Sequence, residues 1–169
     1  MFTLADIRRE YDRLDELTGV DTKDIKLEIS NRSCNRYGYC RYDKDKPEKI
    51  VISDFVLKDK DERIFWDTIR HEYVNAMLKL RFPNEKSHGH DKVFKAGCIE
   101  VGCEPSRCAT VQSELAKKKR EDRVKYIVYC PKCKSEWRYV KAGKVVKGLQ
   151  KKRHLRCPYC NVDVKLKAL

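Results

Sequence analysis

Apolar residues along the first part of the chain recur with two different periods. Leu4, Ile7, Tyr11, Leu14 and Leu17 fall three or four residues apart, the spacing of one helical face, and Gly19 supplies a stop. Ile25, Leu27 and Ile29 alternate with charged residues, as in a half-buried strand. Asn31 to Gly38 reads as a turn, and Ile50-Val51-Ile52 as a second short strand. The acidic residues from Asp59 to Glu62 suit the positive end of a helix dipole. From Ile64, IFWDTIRHEYVNAMLKL reads as one long helix, with Phe65, Ile69, Ala76 and Leu80 near one face and Pro83 beyond its end. A further helix is predicted over 91–101, stopped by Gly102. These elements predict an α+β fold, a small antiparallel or mixed sheet packed on helices. The charged run KKKREDR from Lys117 predicts a linker over 117–124, between a body over 1–116 and a module over 125–169.

Charge sharpens that division. The formal net charge is +13, and all of the excess lies in residues 110–169, which hold 18 Lys and Arg against 5 Asp and Glu. Such a tail is either a solvated lysine-rich surface or one that meets phosphates, and a neutral body joined to a basic module favours the second. No apolar run approaches the ~18–20 residues that span a bilayer, and the amphipathic N-terminus lacks the segments of a signal peptide. The expectation is a cytoplasmic protein with no membrane partner. In that reducing setting cysteines serve as metal ligands or thiols.

Two C-P-x-C knuckles, Cys130-Pro131-Lys132-Cys133 and Cys157-Pro158-Tyr159-Cys160, are separated by 23 residues. Each tight turn can bring two thiolates to one ion at about 2.3 Å. A redox site would need only one pair, so two matched pairs argue for a closed structural zinc site, a zinc ribbon. Tyr126 to Tyr129 leads in as a strand, and the segment between the knuckles is long enough for a β-hairpin. That segment carries Lys141, Lys144, Lys147, Lys151, Lys152, Arg153 and Arg156, with Trp137 and Tyr139 nearby, a composition suited to phosphate contact and base stacking. His154 reads as a surface or phosphate-facing residue. Cys34 and Cys40, and Cys98, Cys103 and Cys108, lack knuckle spacing and read as small buried apolar residues.

The remaining chemistry lies in His71-Glu72-Tyr73-Val74-Asn75, one residue away from HExxH. In HExxH two histidines on one helical face bind zinc, and the glutamate takes a proton from the metal-bound water. Here Asn75 holds the second position, and a neutral amide oxygen is a poorer zinc ligand than imidazole. Ser87-His88-Gly89-His90-Asp91, just before a helix, offers further ligands.

Taken together, the sequence resembles the SprT-like family, which includes the Spartan-type proteases. The resemblance rests on the N-terminal helix and small sheet, Gly38-Tyr39-Cys40-Arg41, Thr68-Ile69-Arg70-His71-Glu72, Gly89-His90 before a helix bearing Phe94, the 19-residue step from His71 to His90, and the terminal ribbon. It implies a zincin-like fold, with His71 and His90 as zinc ligands, Glu72 as general base and Asn75 in place of the remaining histidine. Three arrangements stay open: Asn75 Oδ1 or a water completes the site, His88 or Asp91 substitutes, or the site holds no metal. The implied function is a zinc metallopeptidase acting on DNA-associated proteins, with a catalytic zinc and a ribbon zinc. The alternative is a non-catalytic nucleic-acid-binding or scaffolding protein.

Overall fold

A capping box opens helix α1 (Leu4–Thr18): the Asp6 N–H donates to Thr3 Oγ1, and the Thr3 N–H donates to Asp6 Oδ2. The helix ends at Gly19, whose left-handed backbone (φ 67°) suits a residue without a Cβ. Ile7, Tyr11 and Leu14 are buried, whereas Leu4 and Leu17 are exposed, so the buried face is narrower than the sequence pattern.

The computed structural model describes residues 1–44, 46–85, 89–105 and 114–169, and the chain divides into two units, Met1–Ala116 and Lys117–Leu169. The first is α+β. Strands β1 (Lys26–Ser30), β2 (Gly38–Asp43) and β3 (Lys46–Ser53) form a sheet in the order β1-β3-β2. β1 runs parallel to β3 and β2 antiparallel, so the sheet is mixed. β2 is absent from the sequence reading. Its register against β3 shifts between Arg41 and Tyr42, and that irregularity breaks the alternation by which a strand is recognised. A single 3-10 turn, Val56–Lys58, follows the sheet.

Helix α2 (Glu62–Arg81) starts at Asp61, which accepts from the Arg63 N–H. It buries Phe65, Ile69 and Ala76 as the pattern predicts, and also Tyr73, Val74, Met77 and Leu78, because it meets both the sheet and helix α3 (Lys92–Val101). Leu80, expected on the inner face, is exposed. At Gly97 a Cβ would stand 3.0 Å from Val74 Cγ1 and 3.0 Å from Met77 Cε, so a missing side chain lets α3 approach α2 closely. Tyr11 ties α1 to α2 by donating its hydroxyl to the Ile69 carbonyl at 2.9 Å.

The second unit holds strands β4 (Tyr126–Tyr129), β5 (Glu136–Tyr139) and β6 (Lys165–Ala168), antiparallel in the order β5-β4-β6. Helix α4 (Glu114–Glu121) occupies much of the stretch expected to be a linker. Helix α5 (Lys144–Gln150) lies where a second hairpin strand was expected. It buries Val146 and Gly148 in a small core with Val128, Cys130, Cys157 and Val164. Among the described residues no helix is long and apolar enough to cross a membrane.

Glu10 gives the first unit a testable pH response. Burial raises its carboxyl pKa, but bonds from Arg13 (2.7 Å) and Arg70 (2.8 Å) outweigh this and hold it below its ordinary 4.5. A depressed carboxyl contributes stability above its unfolded pKa and loses it as pH falls through the folded value. Glu10→Gln should therefore cost about 1–3 kcal/mol at neutral pH. The gap from the parent chain should shrink in acid below 4.5, as followed by denaturant melts. An equal gap at both pH values would contradict the assignment.

Candidate functional site

Three polar side chains of α2 gather on the side that faces the sheet and α3. His71 and Glu72 are buried and Asn75 is half-buried. His90 reaches this place from the loop ahead of α3. Its backbone is left-handed (φ 65°), an uncommon state for a residue other than glycine. The next residue, Asp91, caps α3 by accepting from the Val93 and Phe94 N–H groups at 2.9 and 3.0 Å. The combination of turn and cap sets His90 Nε2 3.0 Å from His71 Nε2. Phe94 meets both rings edge-on, with centroids 4.8 and 4.5 Å away. The two imidazoles thus converge, close enough for one to donate to the other or for both to face one cation.

Glu72 has a tight cradle. Asn75 Nδ2 donates to its Oε2 at 3.1 Å, and the Cys40 N–H also bonds the carboxylate. A Cβ on Gly38 would lie 3.0 Å from Glu72 Cγ and 3.1 Å from the Val51 carbonyl, so β2 passes this carboxylate only as glycine. Burial pushes the Glu72 carboxyl up to about 7, against the opposite pull of Asn75, the Cys40 N–H and the Arg36 charge. Burial, with the His90 charge adding to it, holds His71 down at about 4. A neutral imidazole is the form that binds metal, and a carboxyl poised near neutrality is the form that exchanges protons. Tyr42 was not singled out from the sequence. Its hydroxyl donates to the Asn75 main-chain carbonyl at 3.2 Å, bracing the helix beside the site from β2.

The profile of the SprT-like family matches residues 5–115, a span that contains all of these side chains. The chain belongs to the SprT-like family. It is also 37% identical over 103 residues to a protein named "Protein SprT-like" from Staphylococcus saprophyticus, covering 59% of this chain and 61% of that relative. The chain thus spans less than two thirds of the relative's length.

In this SprT-like chain Asp91 serves as a helix cap, which argues against its reading as a substitute ligand. His88, the other substitute considered, lies outside the described residues, as does Cys108. Among the described residues no third histidine, cysteine or carboxylate ligand atom joins the imidazole pair.

The second unit does gather four such atoms. Cys130, Cys133, Cys157 and Cys160 place their sulfurs within 4.8 Å of one another, close enough to bind a zinc ion. The two knuckles are built alike. The Lys134 N–H returns to the Cys130 carbonyl and the Asn161 N–H to the Cys157 carbonyl, at 3.1 and 2.9 Å. Lys134 and Asn161 both adopt left-handed backbones (φ 62° and 57°). Ser135, through its hydroxyl and backbone, holds the Cys133 thiol down at about 6.

The basic residues named from the sequence are exposed. Lys144 and Lys147 lie on α5, Lys151 closes that helix, and Lys152 and Arg153 follow in the turn. Arg156 and half-buried Trp137 line a cavity of about 280 Å³ with Val128, Tyr139, Leu155 and Val164. Tyr159, whose ring lies parallel to that of Trp137 at 6.3 Å, was noted in the sequence only as part of its knuckle. His154 Nδ1 pairs with Asp163 at 2.9 Å on the surface.

Because the second core contains few buried apolar residues, its folding should depend on the ion. A chelator, or Cys157→Ser, should abolish the melting transition of the second unit and leave that of the first, read by near-ultraviolet circular dichroism. A metal-stripped chain that keeps the Trp137 signal would contradict this.

Proposed function

We propose that this chain is a SprT-like zinc peptidase whose metal affinity is lowered by Asn75. The observation that carries the proposal is the 3.0 Å convergence of the His71 and His90 Nε2 atoms beside the buried Glu72. The donor set fits zinc: two imidazoles face one point, with a carboxyl on the same helix that can take a proton. When bound, the ion would polarise a peptide carbonyl and acidify a water.

The remaining roles belong to the chain itself. His71 and His90 would hold the ion, and Phe94 fixes both rings. Glu72 accepts the proton, and Cys40 and Asn75 orient its carboxylate. Asn75 takes no part as a ligand in this reading. Its amide ends level with an imidazole's Nδ1, short of the Nε2 position from which both histidines act, and its Nδ2 is engaged by Glu72.

The C-terminal unit acts in this proposal as a zinc ribbon that holds the peptidase on DNA. Support comes from the confinement of the charge excess to residues 110–169 and the exposure of Lys144, Lys147, Lys151, Lys152, Arg153 and Arg156. Substrates are then proteins bound to the same DNA, selected by proximity. Asn75 in the place of a histidine also favours a second reading, a non-catalytic nucleic-acid-binding or scaffolding protein, because a neutral amide is a poorer zinc ligand than imidazole.

Cleavage of a DNA-bound protein by the parent chain in excess zinc, abolished by Glu72→Gln, separates the two, and zinc content reports on the site. After gel filtration the parent chain should retain one ion, that of the ribbon. Asn75→His should retain two, its affinity at the His71–His90 site rising by about 100-fold or more, beyond what changes to a ligand's neighbours command. The same variant should cleave a DNA-bound protein, and adding Glu72→Gln should stop cleavage while leaving both ions in place. An Asn75→His chain that holds one ion and cuts nothing would end the peptidase reading.

DNA binding should weaken steeply with salt and show little sequence preference. Reversing Lys151, Lys152 and Arg153 together should reduce affinity by about 10-fold or more and flatten the salt slope. Reversing three lysines before residue 110 should change little. A salt-insensitive isotherm would refute the tether.

A further inference from the structure

By their spacing Cys98 and Cys103 are separate apolar fillers, but the fold pairs them. Helix α3 ends at Gly102, a left-handed residue (φ 71°) whose N–H bonds the Cys98 and Ile99 carbonyls. The Cys103 N–H turns back to the Cys98 carbonyl at 2.9 Å. This closure lays the residue after the glycine over the last helical turn, the arrangement in which the two flanking side chains meet. Both are buried, Cys98 fully and Cys103 at 7% exposure.

The turn is also anchored from α2. Arg70 Nη1 donates to the Gly102 carbonyl at 2.9 Å, and the Glu104 N–H donates to Asp67 Oδ1 at 3.4 Å. A backbone hydrogen bond that joins the two cysteines directly keeps their Cα atoms near the spacing a disulfide requires. Neither thiol belongs to the four-cysteine unit, and neither has a role in the chemistry of His71, Glu72 and His90.

We propose that Cys98 and Cys103 form a dithiol–disulfide couple oxidised by small peroxides. One thiolate attacks a peroxide oxygen: an S–O bond forms, the O–O bond breaks, and hydroxide leaves to be protonated to water. The neighbouring thiolate then attacks that sulfur. The S–S bond forms, the S–O bond breaks, and a second water leaves. Two thiols and hydrogen peroxide give one disulfide and two waters. With the two thiols adjacent, the first proton leaves more readily and the second is held more tightly. The bond would fasten the C-terminal end of the helix whose N-terminal end sets His90. The inference does not depend on whether that site holds metal.

The test uses the full chain with its C-terminal metal bound. It is treated with limiting hydrogen peroxide, alkylated with N-ethylmaleimide and digested with trypsin. The peptide carrying both cysteines should be recovered without adducts and lighter by two hydrogens. Recovery of that peptide with two adducts, or joined to Cys108, would overturn the proposal. In a parallel arm without oxidant, phenylarsine oxide, which bridges adjacent thiols, should protect both cysteines from alkylation in the parent chain. The near-isosteric Cys103→Ser should lose protection of Cys98 while keeping the parent's circular dichroism. Labelling of Cys98 and Cys103 in the parent despite the arsenical would show that the thiols do not meet, and would also sink the idea.

Discussion

Helix α2 carries an imidazole and a carboxyl into the same interior that its apolar residues build, and the first unit is arranged to make that tolerable. A buried carboxyl without partners destabilises a fold by several times RT. Glu72 meets this with a strand N–H, a side-chain amide and a glycine that leaves it room. His71 meets it with a second imidazole and an aromatic edge. The strand edge, the left-handed residue ahead of α3 and the close α2–α3 crossing at Gly97 all serve this pair. Stability comes from elsewhere, from Tyr11, Phe65, Tyr73 and Phe94, all essentially removed from solvent.

The parts of this arrangement that were legible in the sequence are those whose cause is local. Caps and helical periodicity marked α1, α2 and α3, and Gly19 and Gly102 ended two of them where expected. His71 and His90 could be brought together only through family resemblance, because nothing within 19 residues of chain says that a loop folds back onto a helix. β2 escaped because its bulge disturbs the alternation. Tyr42 escaped because its partner is a main-chain carbonyl 33 residues away, which no side-chain pattern encodes. Helix α5 escaped because valine pairs and glycine are poor helix formers, and packing of Val146 into the second core overrides that preference.

The two units rest on different sources of order. The first has a contiguous apolar core and balanced charge, so it resembles an ordinary small domain. The second concentrates positive charge on a frame with few buried apolar side chains, which is self-repelling unless something offsets it. Four thiolates around one divalent ion would carry a net negative charge, so an ion bound at the four cysteines would also attract the lysines around it.

The likeness of the two cysteine turns has a consequence for how an ion bound by the four cysteines would come and go. Each turn closes through its own hydrogen bonds and its own left-handed residue, so each presents its sulfurs as a ready-made bidentate claw. Capture can begin at either claw, and the second half of the chelate then forms at the entropic cost of one loop closure. Release follows the same route backwards, through a half-coordinated state whose two open valences are accessible to competing thiols. Metal exchange in this unit should therefore be an associative, stepwise transfer.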